Sequence, residues 1–341
     1  MAARSCRFKS CFPHSCSFKD LRPGCESFFL RRSAPFGVSA SLGRSRLTSS
    51  PFPAPPSSSW VVGATFIALL SFAGNSLLCR QALSSGGIDP ATFTGLRLVA
   101  GAVLLLAIVV ARRRPAGGPR LAGSWTAAAA LWVYAAGFSW AYQGMTAGTG
   151  ALLLFGSVQA TMVAWAVFCG ERPKRAEWLG FAAAGAGLCV LLAPKFAPPP
   201  WSNAAAMIVA GVAWGVYSLK GRGTTDPTAA TAGNFLRASL IALPWMGWSG
   251  QAFAGLAEEA YRGALLAAAS GAVTSGLGYV VWYAALRGLS ATRAALVQLS
   301  TPVIAALGGV VLLGESFSTT LALATVLVLG GVGWAIGARG R

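Results

Sequence analysis

The stretch DPATFTGLRLVAGAVLLLAIVVA (89–111) decides how the rest of the chain is read. Its opening Asp-Pro pair is a helix-start signal, because an aspartate can cap free amides and a proline is tolerated only in the first turn. About twenty residues follow with one charge among them, Arg97. At 1.5 Å per residue such a run spans a hydrocarbon core of about 30 Å. The same kind of run recurs along the chain. Of the 341 residues, 55% are hydrophobic and only 11% charged, where soluble domains carry about 25% charged residues. A soluble enzyme, a collagen-like fibre and a disordered chain are all excluded.

Working outward, apolar runs separated by Pro, Gly and charged residues give ten expected helices. They fall at 60–79, 91–111, 122–143, 148–169 and 176–194, then at 203–219, 229–248, 263–286, 292–312 and 319–338. Trp60, Trp125, Trp178, Trp201 and Trp248 lie near span ends, where an amphipathic ring is favoured. Asp226-Pro227 opens the seventh run as Asp89-Pro90 opens the second.

The net charge of +18 is not a nucleic-acid footprint. Nine Lys/Arg lie in residues 1–59, a basic Ser/Pro-rich stretch expected to be disordered. It reads either as transit-peptide-like or as sequence upstream of the true start. Most other basic residues sit in short loops on one side: Arg112, Arg113, Arg114, Arg120, Arg172, Lys174, Arg175, Lys220, Arg222, Arg287, Arg293, Arg339 and Arg341. Only Arg80, Lys195 and Arg262 fall on the other. This asymmetry predicts both termini in the cytoplasm. A bacterial inner membrane is the expected compartment, and a plastid envelope is the alternative.

The halves resemble each other. A slide of 144 residues places Ala141 on Ala285, Gly144 on Gly288, Ala147 on Ala291, Leu152 on Leu296 and Gly170-Glu171 on Gly314-Glu315. Each half also has one arginine within its second helix, Arg97 and Arg237. Five spans per half would insert the second copy upside down, a mark of transporters. The expected fold class is an all-α membrane protein of ten transmembrane helices, arranged as two inverted five-helix repeats at 60–196 and 201–338.

Three segments, NSLLCR (75–80), DPATFTGLRL (89–98) and TPVIAALGGVVLLGES (301–316), resemble EamA-type members of the drug/metabolite transporter superfamily. The resemblance covers about residues 60–338 and implies a ten-helix transporter. The first copy departs from the pattern, with Val158 and Gln159 where the second has Pro302 and Val303. Pro302 is the expected hinge.

Charges inside a membrane cost several kcal/mol unless they face protein or water. Arg97 and Arg237 are therefore candidate cavity cations for a carboxylate or phosphate, with snorkelling to an interface as the competing role. Asn75, Tyr142, Gln159, Trp214, Tyr217, Asn234, Tyr279, Tyr283 and Gln298 complete an expected polar, aromatic cavity, with helix–helix hydrogen bonding as the alternative role for each. Glu171 and Glu315 end the fourth and ninth runs as gate or interface groups. No Asp or Glu lies mid-span, so a buried carboxylate proton relay is not supported.

The seven cysteines include no Cys-x-x-Cys pair, and His14 is the single histidine, so no metal site is expected. No phosphate loop is present, so neither ATP nor another cofactor is expected. The expected function is secondary transport of a small metabolite, amino-acid-like or an organic acid, by alternating access and in the export direction. An anion exchanger of a plastid envelope is one alternative. A membrane-embedded enzyme built around Glu258 and Glu259 is a weaker one. Expected partners are the solute and the lipid bilayer, without nucleic acid, in a monomer or homodimer.

Overall fold

A computed structural model describes residues 57–84, 88–112, 121–143, 147–192, 200–248, 258–313 and 318–338. Glu315 and Gly144 lie outside the described residues, as does almost all of the N-terminal stretch. The elements are α1 (Ser58–Ser84), α2 (Pro90–Ala111), α3 (Trp125–Ala141), α4 (Ala147–Phe168), α5 (Arg175–Leu192), α6 (Trp201–Gly221) and α7 (Pro227–Trp248). They continue with α8 (Glu258–Ala269), a π-helical segment π1 (Ser270–Leu277), α9 (Gly278–Leu286), α10 (Ala291–Gln298), α11 (Thr301–Leu313) and α12 (Thr319–Gly337). The segments α8, π1 and α9 run on as one rod.

Helix starts follow local chemistry. Asp89 Oδ1 accepts from the Ala91 and Thr92 amides at 2.9 and 3.1 Å, with Pro90 in the first turn. Asp226 Oδ1 accepts from the Ala229 amide at 3.0 Å ahead of α7. Under the 144-residue slide, the first residues of α4 and α10 coincide at Ala147 and Ala291. Yet α4 runs unbroken, whereas its counterpart is interrupted at Leu299 and Ser300. Pro302 has no amide hydrogen to give the Gln298 carbonyl one turn earlier, so the helix breaks there. Val158 keeps its amide, and α4 continues.

Five described helical stretches are long and apolar enough to cross a membrane: Ser58–Leu83, Pro90–Ala111, Trp201–Gly221, Glu258–Leu286 and Thr319–Gly337. Large apolar side chains point outward along them, Val103, Val110 and Val326 among them. In water such a surface would be a liability; against lipid it is what the solvent requires. Trp60, Trp125, Trp178, Trp201 and Trp248 are all exposed at or near helix ends.

Packing runs mainly between the halves. α1 lies against α8, π1, α9 and α11; α2 lies against α7, α8 and π1; α3 lies against α6 and α7; α4 lies against α6 and α10; α5 lies against α12. Exchange the halves, so that α1 becomes α6, α2 becomes α7, α3 becomes the α8–α9 rod, α4 becomes α10–α11 and α5 becomes α12. The set of partners maps onto itself. Small residues permit close approaches: a Cβ on Gly211 would meet the Leu154 carbonyl at 2.6 Å, and one on Gly137 the Ala206 carbonyl at 2.9 Å.

Candidate functional site

Where α2 crosses π1, the chain buries a charge deep within its spans. Arg97 is 1% exposed. Gly271 lets the backbones meet, since a Cβ there would collide with the Arg97 carbonyl. The wide turn of π1 then sets the side chains. Ser270 and Ser275 are five residues apart, a spacing that the i→i+5 bonding of a π-helix brings to one face. Both donate to Asn75 Oδ1 of α1, at 2.6 and 3.3 Å. Ser275 Oγ in turn accepts from Arg97 Nε at 2.9 Å, and Tyr279 Oη accepts from Arg97 Nη2 at 2.6 Å. The Tyr134 ring lies 5.4 Å from the guanidinium carbon. Arg97 Nη1 is buried with no hydrogen-bond partner.

Beside this network stands a continuous aromatic cluster. Trp214 packs on Tyr279, Tyr134, Phe72 and Tyr217 with ring centroids 4.7, 4.8, 5.2 and 5.6 Å away. Tyr217 meets Tyr283 at 4.9 Å. Hydrogen bonds fix the rings: Trp214 Nε1 donates to Gln298 Oε1 at 2.7 Å, Trp282 Nε1 to Ser218 Oγ at 3.1 Å, and Tyr283 Oη to the Tyr217 carbonyl at 3.0 Å. Gln298 Nε2 bonds the Ala294 carbonyl at 3.0 Å. The contributors come from both halves.

A second cluster closes the side of the bundle where α4 ends. Gly170 takes φ +89°, and the Glu171 and Gly170 amides return to the Ala166 and Val167 carbonyls at 2.8 and 3.0 Å. This is a Schellman turn, which needs glycine at its left-handed position. It sends Glu171 across to α10, where its carboxylate accepts from the Ala291 amide at 3.1 Å, the Thr292 amide at 3.3 Å and Thr292 Oγ1 at 3.0 Å. Arg222, just past α6, approaches the same carboxylate at 3.4 Å. Burial lowers the proton affinity of the Arg222 guanidinium, and the Glu171 charge works against that shift.

The candidates from sequence therefore separate. Asn75, Arg97, Trp214, Tyr217, Tyr279, Tyr283 and Gln298 come together in the centre. Arg237 does not join them. Its Nη1 donates to the Gly233 carbonyl at 2.8 Å and the Ala122 carbonyl at 3.0 Å, with the Trp125 ring 5.8 Å away. The long stem carries the charge back to the helix-start face, so the centre holds one guanidinium instead of the expected pair. The register explains this. Asn234, not Arg237, stands eight residues after its Asp-Pro aspartate, as Arg97 does. Asn234 accepts from the Ser124 amide at 3.0 Å and so anchors the entry to α3. Tyr142 caps α3 beside Phe138. Both amide atoms of Gln159 are buried without a hydrogen-bond partner. Phe72, Tyr134, Ser270, Ser275 and Trp282 were not anticipated. The repeated Ser-Gly pair at 270–271 and 275–276 was the available signal for two of them.

A family model described as "EamA-like transporter family" matches residues 59–193 and again 201–337. The chain belongs to the EamA-like transporter family. It is thus an integral membrane protein of a transporter family, all-helical among the described residues. The two matched segments are the halves exchanged by the packing symmetry. A Pseudomonas aeruginosa protein, "Uncharacterized protein PA1977", is 52% identical over 269 residues, 79% of this chain and 91% of that protein. A protein of known crystal structure superposes with a TM-score of 0.68 at 22% identity, over 84% of this chain and 100% of that one, which shows a shared fold.

Proposed function

We propose that this EamA-family chain is a secondary transporter that exports a small metabolite by alternating access. Ten spans form two inverted five-helix repeats, at 60–196 and 201–338, and the solute site lies between them at Arg97, Asn75, Trp214 and Tyr279. The observation that carries this reading is the packing set that maps onto itself when the halves are exchanged. A bundle built this way has a second arrangement of similar energy, reached by swapping the roles of the halves. In it the polar centre would open to the other side.

Glu171 is assigned as a gate group, because it ties the end of α4 to the starts and ends of elements in the other half. Glu315 is assigned the corresponding role by sequence alone. The break before Pro302 supports a hinge at that position. The basic loops favour a bacterial inner membrane with both termini cytoplasmic. Against an enzyme, Glu258 and Glu259 stand exposed at the start of α8.

Reconstitution of the full chain into liposomes tests the proposal. Counterflow of amino acids, organic acids and phosphorylated metabolites is the measurement. Saturable exchange of at least one class, lost in Trp214→Ala, supports it. No exchange of any class by a correctly folded preparation overturns it.

A further inference from the structure

We infer that Arg97 is the ligand for a single carboxylate on the transported solute, so that the substrate is a small monoanion. This rests on the transporter reading and adds the chemical class that the central site selects.

A buried ion without a partner carries a penalty of several kcal/mol even after relaxation. Arg97 has neutral partners: the Ser275 hydroxyl, the Tyr279 hydroxyl and the face of the Tyr134 ring. The described carboxylates are placed elsewhere. Asp89 and Asp226 cap helices, Glu171 caps α10, Glu177 accepts from the Lys174 amide, and Glu258 and Glu259 are exposed. No Asp or Glu lies in the middle of a span. Among the described residues no carboxylate faces Arg97, which leaves its charge open to an anion from outside the chain.

The geometry is that of a held donor. Nε and Nη2 are fixed, and Ser275 is itself fixed by Asn75, which leaves Nη1 as the free donor. Nη1 can bind one oxygen of an anion without giving up either existing bond. The charge also selects. With Arg237 turned to the helix-start face, the centre contributes one positive charge. A carboxylate neutralises it, whereas a phosphate monoester, carrying about −1.5 to −2 at neutral pH, would bring unmatched charge among aromatic rings. Those rings, Tyr134, Trp214 and Tyr279, suit a small apolar body attached to the carboxylate. In this conformation they fill the space, so the solute enters as the halves part. The bonds from Arg97 and Asn75 to π1 cross between the halves, which makes occupancy of Nη1 a direct influence on how they sit.

The test uses the full chain purified in detergent and a panel of monocarboxylates from acetate to phenylacetate. Each is paired with its uncharged carboxamide, and inorganic phosphate is a separate arm. Thermal unfolding is followed against concentration. At least one carboxylate should raise the midpoint saturably, with its amide and phosphate about 10- to 100-fold weaker, as expected for a hydrogen bond to a charged group. Arg97→Gln should abolish the response, and Arg97→Lys should retain part of it. Should Arg97→Gln not fold, the acid-against-amide comparison in the unaltered protein decides alone. Equal responses to acid and amide, a preference for phosphate, a carboxylate response that survives in Arg97→Gln, or no response across the panel would each overturn the inference. Counterflow of neutral solutes, indifferent to Arg97, would leave the transporter reading standing while this one fell.

Discussion

Replacing Glu171 by glutamine should loosen one end of the bundle by an amount that can be worked out. The carboxylate is the described partner of the Ala291 and Thr292 amides, two first-turn donors of α10 that have no carbonyl of their own helix to bond. It also takes the Thr292 hydroxyl and faces Arg222. The ion pair itself contributes little. Its side chains are 24% and 28% exposed, and such pairs give at most about 1 kcal/mol. The amide bonds weigh more, since a hydrogen bond to a charged group is worth about 1.5–3 kcal/mol. Glutamine keeps one accepting oxygen but turns an NH2 group toward remaining donors. A net loss of about 2 kcal/mol follows, or roughly a 30-fold shift in a local opening equilibrium. Hydrogen–deuterium exchange on the full chain reads this at Ala291 and Thr292. Both should exchange about 30-fold faster in the variant, while residues 90–98, capped by Asp89, should be unchanged. Unaltered exchange at 291 and 292 would refute the assignment of Glu171 as the lock on α10.

Gln298→Leu removes the acceptor of the Trp214 indole and should lower stability by about 1 kcal/mol, within the range for bonds between helices in membranes, measured by thermal unfolding in detergent. Gly271→Ala puts a methyl group on the Arg97 carbonyl and forces α2 from π1, so thermal stability should fall far more than with Gly185→Ala, where a Cβ meets nothing within 4 Å. Pro302→Ala restores an amide facing Gln298, and exchange at 299–301 should slow as α10 and α11 join into one helix. Ser275→Ala leaves Arg97 Nε without its partner and should destabilise the fold more than Ser71→Ala, an exposed hydroxyl that bonds its own helix.

Much of this protein was legible along the chain. The run from 89 to 111, its capping aspartate and proline, the tryptophans at helix ends and the Gly-Glu pair at 170–171 all act through neighbours a few residues away. Their roles follow from periodicity, capping and the solvent's refusal of bare polar groups. Within-chain chemistry also placed the break before Pro302. The fate of the two arginines was different. Both look like intramembrane charges in sequence, yet three residues of register separate a cation enclosed by π1 from one that reaches back to Trp125. Which of them stays buried depends on what the facing helix offers, and α2 meets that helix only because Gly271 lets the backbones touch. The joining of Ser270 and Ser275 on Asn75 and the reach of Glu171 to α10 are contacts between residues 120 to 200 positions apart, and the Tyr134 face under Arg97 joins two separate helices of the first half. Local propensity carries no record of such pairings; they exist only once the helices have packed.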